Sequence, residues 1–139
     1  MYFLPLLDAQ IMDTILIVEH ELKTRDLLKR PLASHYQIVE AASAAEAVEL
    51  VRRSRPDLVL LDLNLESYHD GLDVCRTLRS EPDPILARMP IVMLTGQAGR
   101  VDIATVLAAG ADSYVREPYS PLTILRVVKT LLTRRAGTE

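Results

Sequence analysis

The alternation of short apolar runs with helical patterns, five times over, constrains this chain more than any other feature. Ile15–Glu19, Gln37–Glu40, Leu58–Leu61, Ile91–Leu94 and Ser113–Arg116 read as strands. The uninterrupted apolarity of Leu58–Leu61 predicts a strand buried on both faces, as in a parallel sheet covered by helices. Helical patterns follow at Glu21–Arg30, from Ser43 to about Arg53, at Leu72–Arg79, at Val101–Ala109 and from Pro121 to about Arg134. Ser43 and Glu46 have capping-box spacing, Gly110 suits a helix C-cap, and Pro121 after Ser120 suits a helix start. Pro82, Pro84 and Pro90 punctuate a linker. Strands alternating with helices predict an α/β fold, a doubly wound parallel sheet with right-handed crossovers.

The 139 residues fit one domain, predicted over residues 13–134. Residues 135–139 read as a tail or the start of a linker. Two readings of residues 1–12 stand side by side. Met12 is the true start, or Phe3 anchors a short helix on a neighbouring surface. The apolar start lacks the cationic region of a signal peptide. A formal charge of -3 gives no basic footprint for nucleic acid. No apolar run reaches the ~20 residues of a membrane helix. The single cysteine, Cys75, excludes an internal disulfide framework and suits a reducing cytoplasm.

Chemistry concentrates at strand ends. In open α/β sheets ligands gather outside the carboxyl ends of the strands. Asp62 ends the third strand, Glu19-His20 the first and Thr95 the fourth. Gly96-Gln97-Ala98-Gly99 lacks the Lys-Ser/Thr ending of a phosphate-binding P-loop, and the scarcity of aromatics argues against a flavin-binding domain. Glu19, His20, Asp62 and Glu117 could form a mixed nitrogen and oxygen metal site, or a plain polar cluster. His35 and His69 read as loop residues and Cys75 as a packed thiol.

The segments Ile15–Glu21, Leu58–Leu65, Val92–Gly96 and Gly110–Pro118 occur in an order that resembles the receiver domain of two-component response regulators. The resemblance covers roughly Asp13 to Arg134. It implies the flavodoxin-like strand order 2-1-3-4-5. It also implies a signalling module rather than an enzyme. Such a module takes a phosphoryl group from a histidine kinase or phosphotransfer protein onto an aspartate, here Asp62. The family holds Mg²⁺ with an acidic pair, the acceptor and a backbone carbonyl. Those positions match Glu19, His20, Asp62 and Asn64. Thr95 matches the hydroxyl residue, Glu117 the lysine position, and Tyr114 the switch aromatic.

The departures from that pattern carry physical costs. Imidazole is a poor ligand for Mg²⁺, which demands hard oxygens, so His20 predicts a weak or absent Mg²⁺ site. Glu117 removes a cation beside the acceptor and adds an anion. A unit-charge pair at ~4 Å is worth about 4 kcal/mol at an effective dielectric of ~20. Arg116 should point to the opposite side from Glu117 and is not a replacement. The loop after Asp62 is one residue longer than the family pattern, with Glu66 where Pro is common. The expected protein is thus a receiver with impaired Mg²⁺-dependent phosphorylation that acts by protein contact. The alternative is a working phosphoacceptor switch on Asp62.

The fourth and fifth helices carry more apolar residues than one sheet face needs. Val101–Ala109 has one charge, Asp102, and the fifth helix has two apolar rows. These predict either a widened core stripe or an exposed patch. The second reading gives a homodimer through the fourth helix, fifth strand and fifth helix, with Val106 and Ile124 at the interface.

Overall fold

A computed structural model describes residues 12–96 and 102–137. The expectations for residues 1–11, for Gln97–Gly99 and for a helix start at Val101 fall outside the described residues. The chain forms β1 (Thr14–Val18), α1 (Leu22–Lys29), β2 (Gln37–Ala41), α2 (Ala44–Ser54), β3 (Leu58–Asp62) and α3 (Asp70–Arg79). It continues through a short α4 (Pro84–Ala87), then β4 (Ile91–Thr95), α5 (Ile103–Ala108), β5 (Ser113–Arg116) and α6 (Pro121–Gly137). The five strands are parallel, in the order β2-β1-β3-β4-β5. This is the flavodoxin-like order expected. No helix among the described residues is long and apolar enough to cross a membrane.

Alternation along the strands divides the core in two. Leu16, Val18, Val59, Leu61 and Met93 face one layer, closed by α2, α3 and Val106 of α5. Ile15, Ile17, Leu58, Leu60, Val92 and Leu94 face the other, closed by Leu28 of α1 and by α6. The central strands therefore bury every apolar side chain they carry, and that burial is the physical origin of their unbroken apolar runs. Each such Leu or Ile contributes about 1.5–3 kcal/mol by leaving water.

Ser43 caps α2 as expected, its Oγ accepting from the Glu46 amide at 3.2 Å. The return bond differs, because Glu46 Oε1 accepts from the amide of Ala42, at 3.1 Å, rather than from that of Ser43. Two stretches are more ordered than the sequence suggests. The proline-punctuated linker contains α4, started by Asp83, whose side chain accepts from the Ile85 amide. Helix α6 runs three residues past Arg134, and Arg135 donates to the Asp57 carbonyl and carboxylate at 2.9 and 3.0 Å. A partner for Arg135 on a distant loop was invisible to a local pattern.

The interface residues require correction. Val106 is fully buried and Ile124 is 1% exposed, so both are core. Ile124, Val128 and Leu131 form the row of α6 that faces the sheet. The other row is mostly a widened core stripe, with Leu125 half-buried and Leu132 buried. Among the described residues, the exposed large apolar side chains on this side of the molecule are Leu107, Tyr114 and Leu122.

Candidate functional site

The carboxyl ends of β1, β3, β4 and β5 bring Glu19, Asp62, Thr95 and Glu117 to one edge of the sheet. Register places Val18 beside Leu61, Asp62 beside Leu94, and Thr95 beside Arg116. Two backbone bonds extend this alignment beyond the strands. The Glu19 amide donates to Ala41 O, and the Glu117 amide donates to Thr95 O, both at 3.0 Å. The Glu117–Pro118 bond is cis.

Glu19 is buried, only 6% exposed, and its carboxyl is hydrogen-bonded to that of half-buried Asp62. Burial, then the Asp62 bond and charge, push Glu19 up to about 9. Asp62 is also raised, chiefly by burial, with the charges of Asp70 and Glu117 adding to it. Its bonds from Glu19 and from the Asn64 amide, the latter at 3.2 Å, oppose that rise. Both carboxyls are thus raised, and the pair favours holding a proton between them. Two close carboxylates in a dry site cannot both ionise cheaply.

His20 is not part of this pair. It is exposed, and its Nδ1 lies 3.4 Å from the carbonyl of Ala42. Among the described residues no group of three or more His, Cys, Asp or Glu is arranged to hold a metal ion. Glu19 and Asp62 nonetheless fit Mg²⁺ in donor type. That ion commonly binds one or two carboxylates and keeps several waters. The backbone carbonyl of Asn64 is the third donor that the family pattern would add. Glu19 and Asp62 are thus the carboxylates that would hold such an ion.

The β3–α3 loop is held by its own polar groups. Asp70 accepts from the amides of Leu65, Glu66 and Ser67 at 2.6, 2.9 and 3.0 Å. Burial alone would raise the Asp70 carboxyl, but these donors outweigh it and hold it below its usual range. Asn64 Oδ1 accepts from the His69 amide. His69 takes a left-handed conformation, φ 60°, and its ring stacks on exposed Tyr68 at 3.7 Å. Gly71 closes the loop against the acceptor. A Cβ there would lie 2.2 Å from Asp62 O and 2.7 Å from Leu63 Cα, so backbone would have to move.

Thr95 is 2% exposed, and its hydroxyl donates to the Val115 carbonyl at 3.3 Å. Tyr114 sits on exposed β5 at 37% exposure. Arg116 is exposed, on the opposite side of β5 from the buried Val115. Sequence reasoning passed over Tyr119, two residues beyond Glu117. Burial, then the charges of Asp62, Glu117 and Glu19, drive its phenol far above the ordinary range. Tyr119 is partly buried, packed against the core layer closed by α1 and α6, within electrostatic reach of the carboxylates. Its position after Glu117-Pro118 was the available signal.

The arrangement can present Asp62 as a nucleophile outside the carboxyl ends of the parallel strands. Known proteins share the frame. The family model "Response regulator receiver domain" matches residues 15–129. The chain is 36% identical over 121 residues to the DNA-binding response regulator MtrA of Mycolicibacterium paratuberculosis, covering 86% of this chain and 51% of that protein. It spans about half the length of the curated relatives it matches. Among solved structures, a CheY-like response regulator receiver domain protein of Methanospirillum hungatei superposes with a TM-score of 0.81 at 26% identity, covering 93% of this chain and 100% of that one. The signal receiver domain of a Syntrophus aciditrophicus signal transduction histidine kinase gives a TM-score of 0.76 at 31% identity, covering 87% and 90%. With the motif order, the strand order and the match over most of its length in agreement, the chain belongs to the response regulator receiver domain family.

Proposed function

We propose that this receiver is a cytoplasmic protein-interaction module of a two-component pathway in which Mg²⁺-dependent phosphorylation of Asp62 is impaired. The carrying observation is the pairing of buried Glu19 with half-buried Asp62, whose raised carboxyls favour holding a proton between them. A divalent cation must replace that proton before a dianionic phosphoryl group can be accommodated. Glu117 brings an additional negative charge within reach of Asp62, where the family places a lysine. The partners in this reading are a histidine kinase or phosphotransfer protein and a second copy of the chain. The dimer would use the face of α5, β5 and α6, now through Leu107, Tyr114 and Leu122, which are exposed. Direct nucleic-acid binding and catalysis of a reaction on a separate substrate are not part of it.

The second reading, a working switch on Asp62, is favoured by Thr95 at the end of β4 and by the tight approach of Gly71 to the Asp62 backbone. Both preserve the setting of an acceptor. Incubation with acetyl phosphate and Mg²⁺, read by intact mass against Asp62→Asn, separates the readings. Slow or substoichiometric uptake supports impairment, and rapid full uptake confined to Asp62 supports the switch.

A further inference from the structure

At the opposite end of the sheet from Asp62 lies a groove of about 700 Å³ between α4, the start of β4 and the end of α6. Buried Met89 and Leu131 give it an apolar floor, and Ile85 lines it at 64% exposure. Its two walls repeat one pattern. Ile85 precedes Arg88 by three residues, on a turn that the Arg88 amide closes by donating to the Pro84 carbonyl at 3.2 Å. Leu131 precedes Arg134 by three residues on α6. Residues three apart share a face of a helical turn, so each wall sets a guanidinium roughly 4.5 Å along from an apolar side chain.

The charges of the groove do not cancel. Asp112, the acid among its lining residues, accepts from Arg79 and from the Ile91 amide, both at 2.8 Å. Arg135 is held by Asp57 at 3.0 Å. Arg88 and Arg134 are exposed and form no hydrogen bond or ion pair among the described residues. Arg126 is likewise exposed and without such a partner, and it shares an adjoining hollow with Arg134. The whole chain has a formal charge of -3, so this cluster of unneutralised cations runs against its overall balance.

A ligand that fits must carry both carboxylates and apolar side chains. Guanidinium groups are weakly hydrated and take carboxylates in a bidentate fork, which suits them to protein contacts. A phosphate backbone would meet the arginines but leave Ile85 and the apolar floor wet.

We propose that this groove docks an acidic peptide segment of a partner protein. Its apolar side chains cover Ile85 and the floor of Met89 and Leu131, and its carboxylates pair with Arg88 and Arg134. This contact surface is separate from the phosphoacceptor crevice and from the α5–β5–α6 face, so a partner bound here leaves Asp62 accessible.

The test titrates the isotope-labelled full chain with a capped synthetic peptide of leucines flanked by glutamates. Saturable amide shifts should cluster at Ile85, Arg88, Met89 and Arg134. Two exposed ion pairs support an affinity loss of roughly five- to thirty-fold when Arg88→Glu and Arg134→Glu are combined. That double variant should instead bind the same peptide with lysines in place of the glutamates. Ile85→Ser, at an exposed position, should weaken the acidic peptide with the fold intact, and it serves should the double variant not fold. The absence of saturable shifts, or shifts centred on Leu107 and Leu122, overturns the proposal. Wild-type binding of the lysine peptide as tight as that of the glutamate one also overturns it. So does equal binding of a glutamate peptide with serines for leucines, because the patch then attracts any anion.

Discussion

The carboxyl of Glu19, just past the end of β1, is hydrogen-bonded to that of Asp62, at the end of β3, with Glu19 almost wholly withdrawn from water. Glu19 titrates near 4.5 in an unstructured chain and at about 9 in the folded one. Between those values the folded state holds more protons than the unfolded state, so stability falls as pH rises. Glu19→Gln removes this penalty. The variant should match wild type near pH 4.5 and exceed it by roughly 1–3 kcal/mol at pH 8 in the presence of EDTA. Urea unfolding at both pH values checks this, and a wild-type advantage that persists at pH 8 contradicts it.

The same proton governs metal binding. A cation that takes both carboxylates must release it, so affinity rises with pH. Mg²⁺ should bind weakly at pH 6.5 and more tightly at pH 8.5, with no saturation at sub-millimolar Mg²⁺ near neutrality. Amide NMR shifts of Asp62 and Asn64 report the titration. His20→Asp with Glu117→Lys should tighten binding. Sub-millimolar saturation of the wild type would sink the claim.

Gly71 and the acceptor backbone cannot both stay in place if a side chain is added. Gly71→Ala puts a Cβ 2.2 Å from Asp62 O. The cost should be about 1–3 kcal/mol, the usual range for overpacking. Thermal unfolding measures it, and an unchanged midpoint would show that the β3–α3 loop is looser than its Asp70 bonds suggest.

Burial separates core from interface on the α5–β5–α6 face. Val106→Glu and Ile124→Glu should unfold or strongly destabilise the protein, because each places a charge in the core. Leu107→Glu and Leu122→Glu should leave it folded. If that face forms a dimer, the second pair should lower the mass seen by light scattering. A wild-type monomer at high concentration removes the dimer.

The resting Thr95–Val115 bond and exposed Tyr114 bear on switching. Moving a two-state equilibrium from 1:99 to 99:1 takes about 5.5 kcal/mol of differential binding. With Glu117 adding negative charge near Asp62, a phosphoryl mimic should produce little change at Tyr114. A large Asp62-dependent shift of the Tyr114 ring signals on adding beryllofluoride would refute this.

Much of the frame was legible because strand burial writes itself directly into sequence. The unbroken run at Leu58–Leu61 reports two covered faces, and Asp62 reports where the strand meets the crevice. The site acids were legible by position, but not by state. Nothing local says that Glu19 is buried and His20, its neighbour, is outside and against the Ala42 carbonyl. Val106 and Ile124 misled because an apolar helix residue has the same sequence signature whether it faces a sheet or a partner. The bonds from Asp70 to the loop and from Arg135 to Asp57 depend on closure of the fold, which local pattern cannot supply.

The most direct test of impairment compares phosphorylation rates of wild type and the double variant His20→Asp, Glu117→Lys. Both are incubated with acetyl phosphate and excess Mg²⁺ and followed by intact mass, with Asp62→Asn as control. The account predicts little phosphoryl uptake by wild type and at least about a tenfold faster rate in the double variant, since 1.4 kcal/mol of relieved charge conflict corresponds to that factor. Rapid, stoichiometric, Asp62-dependent uptake by the wild type, unchanged by the two substitutions, would contradict it.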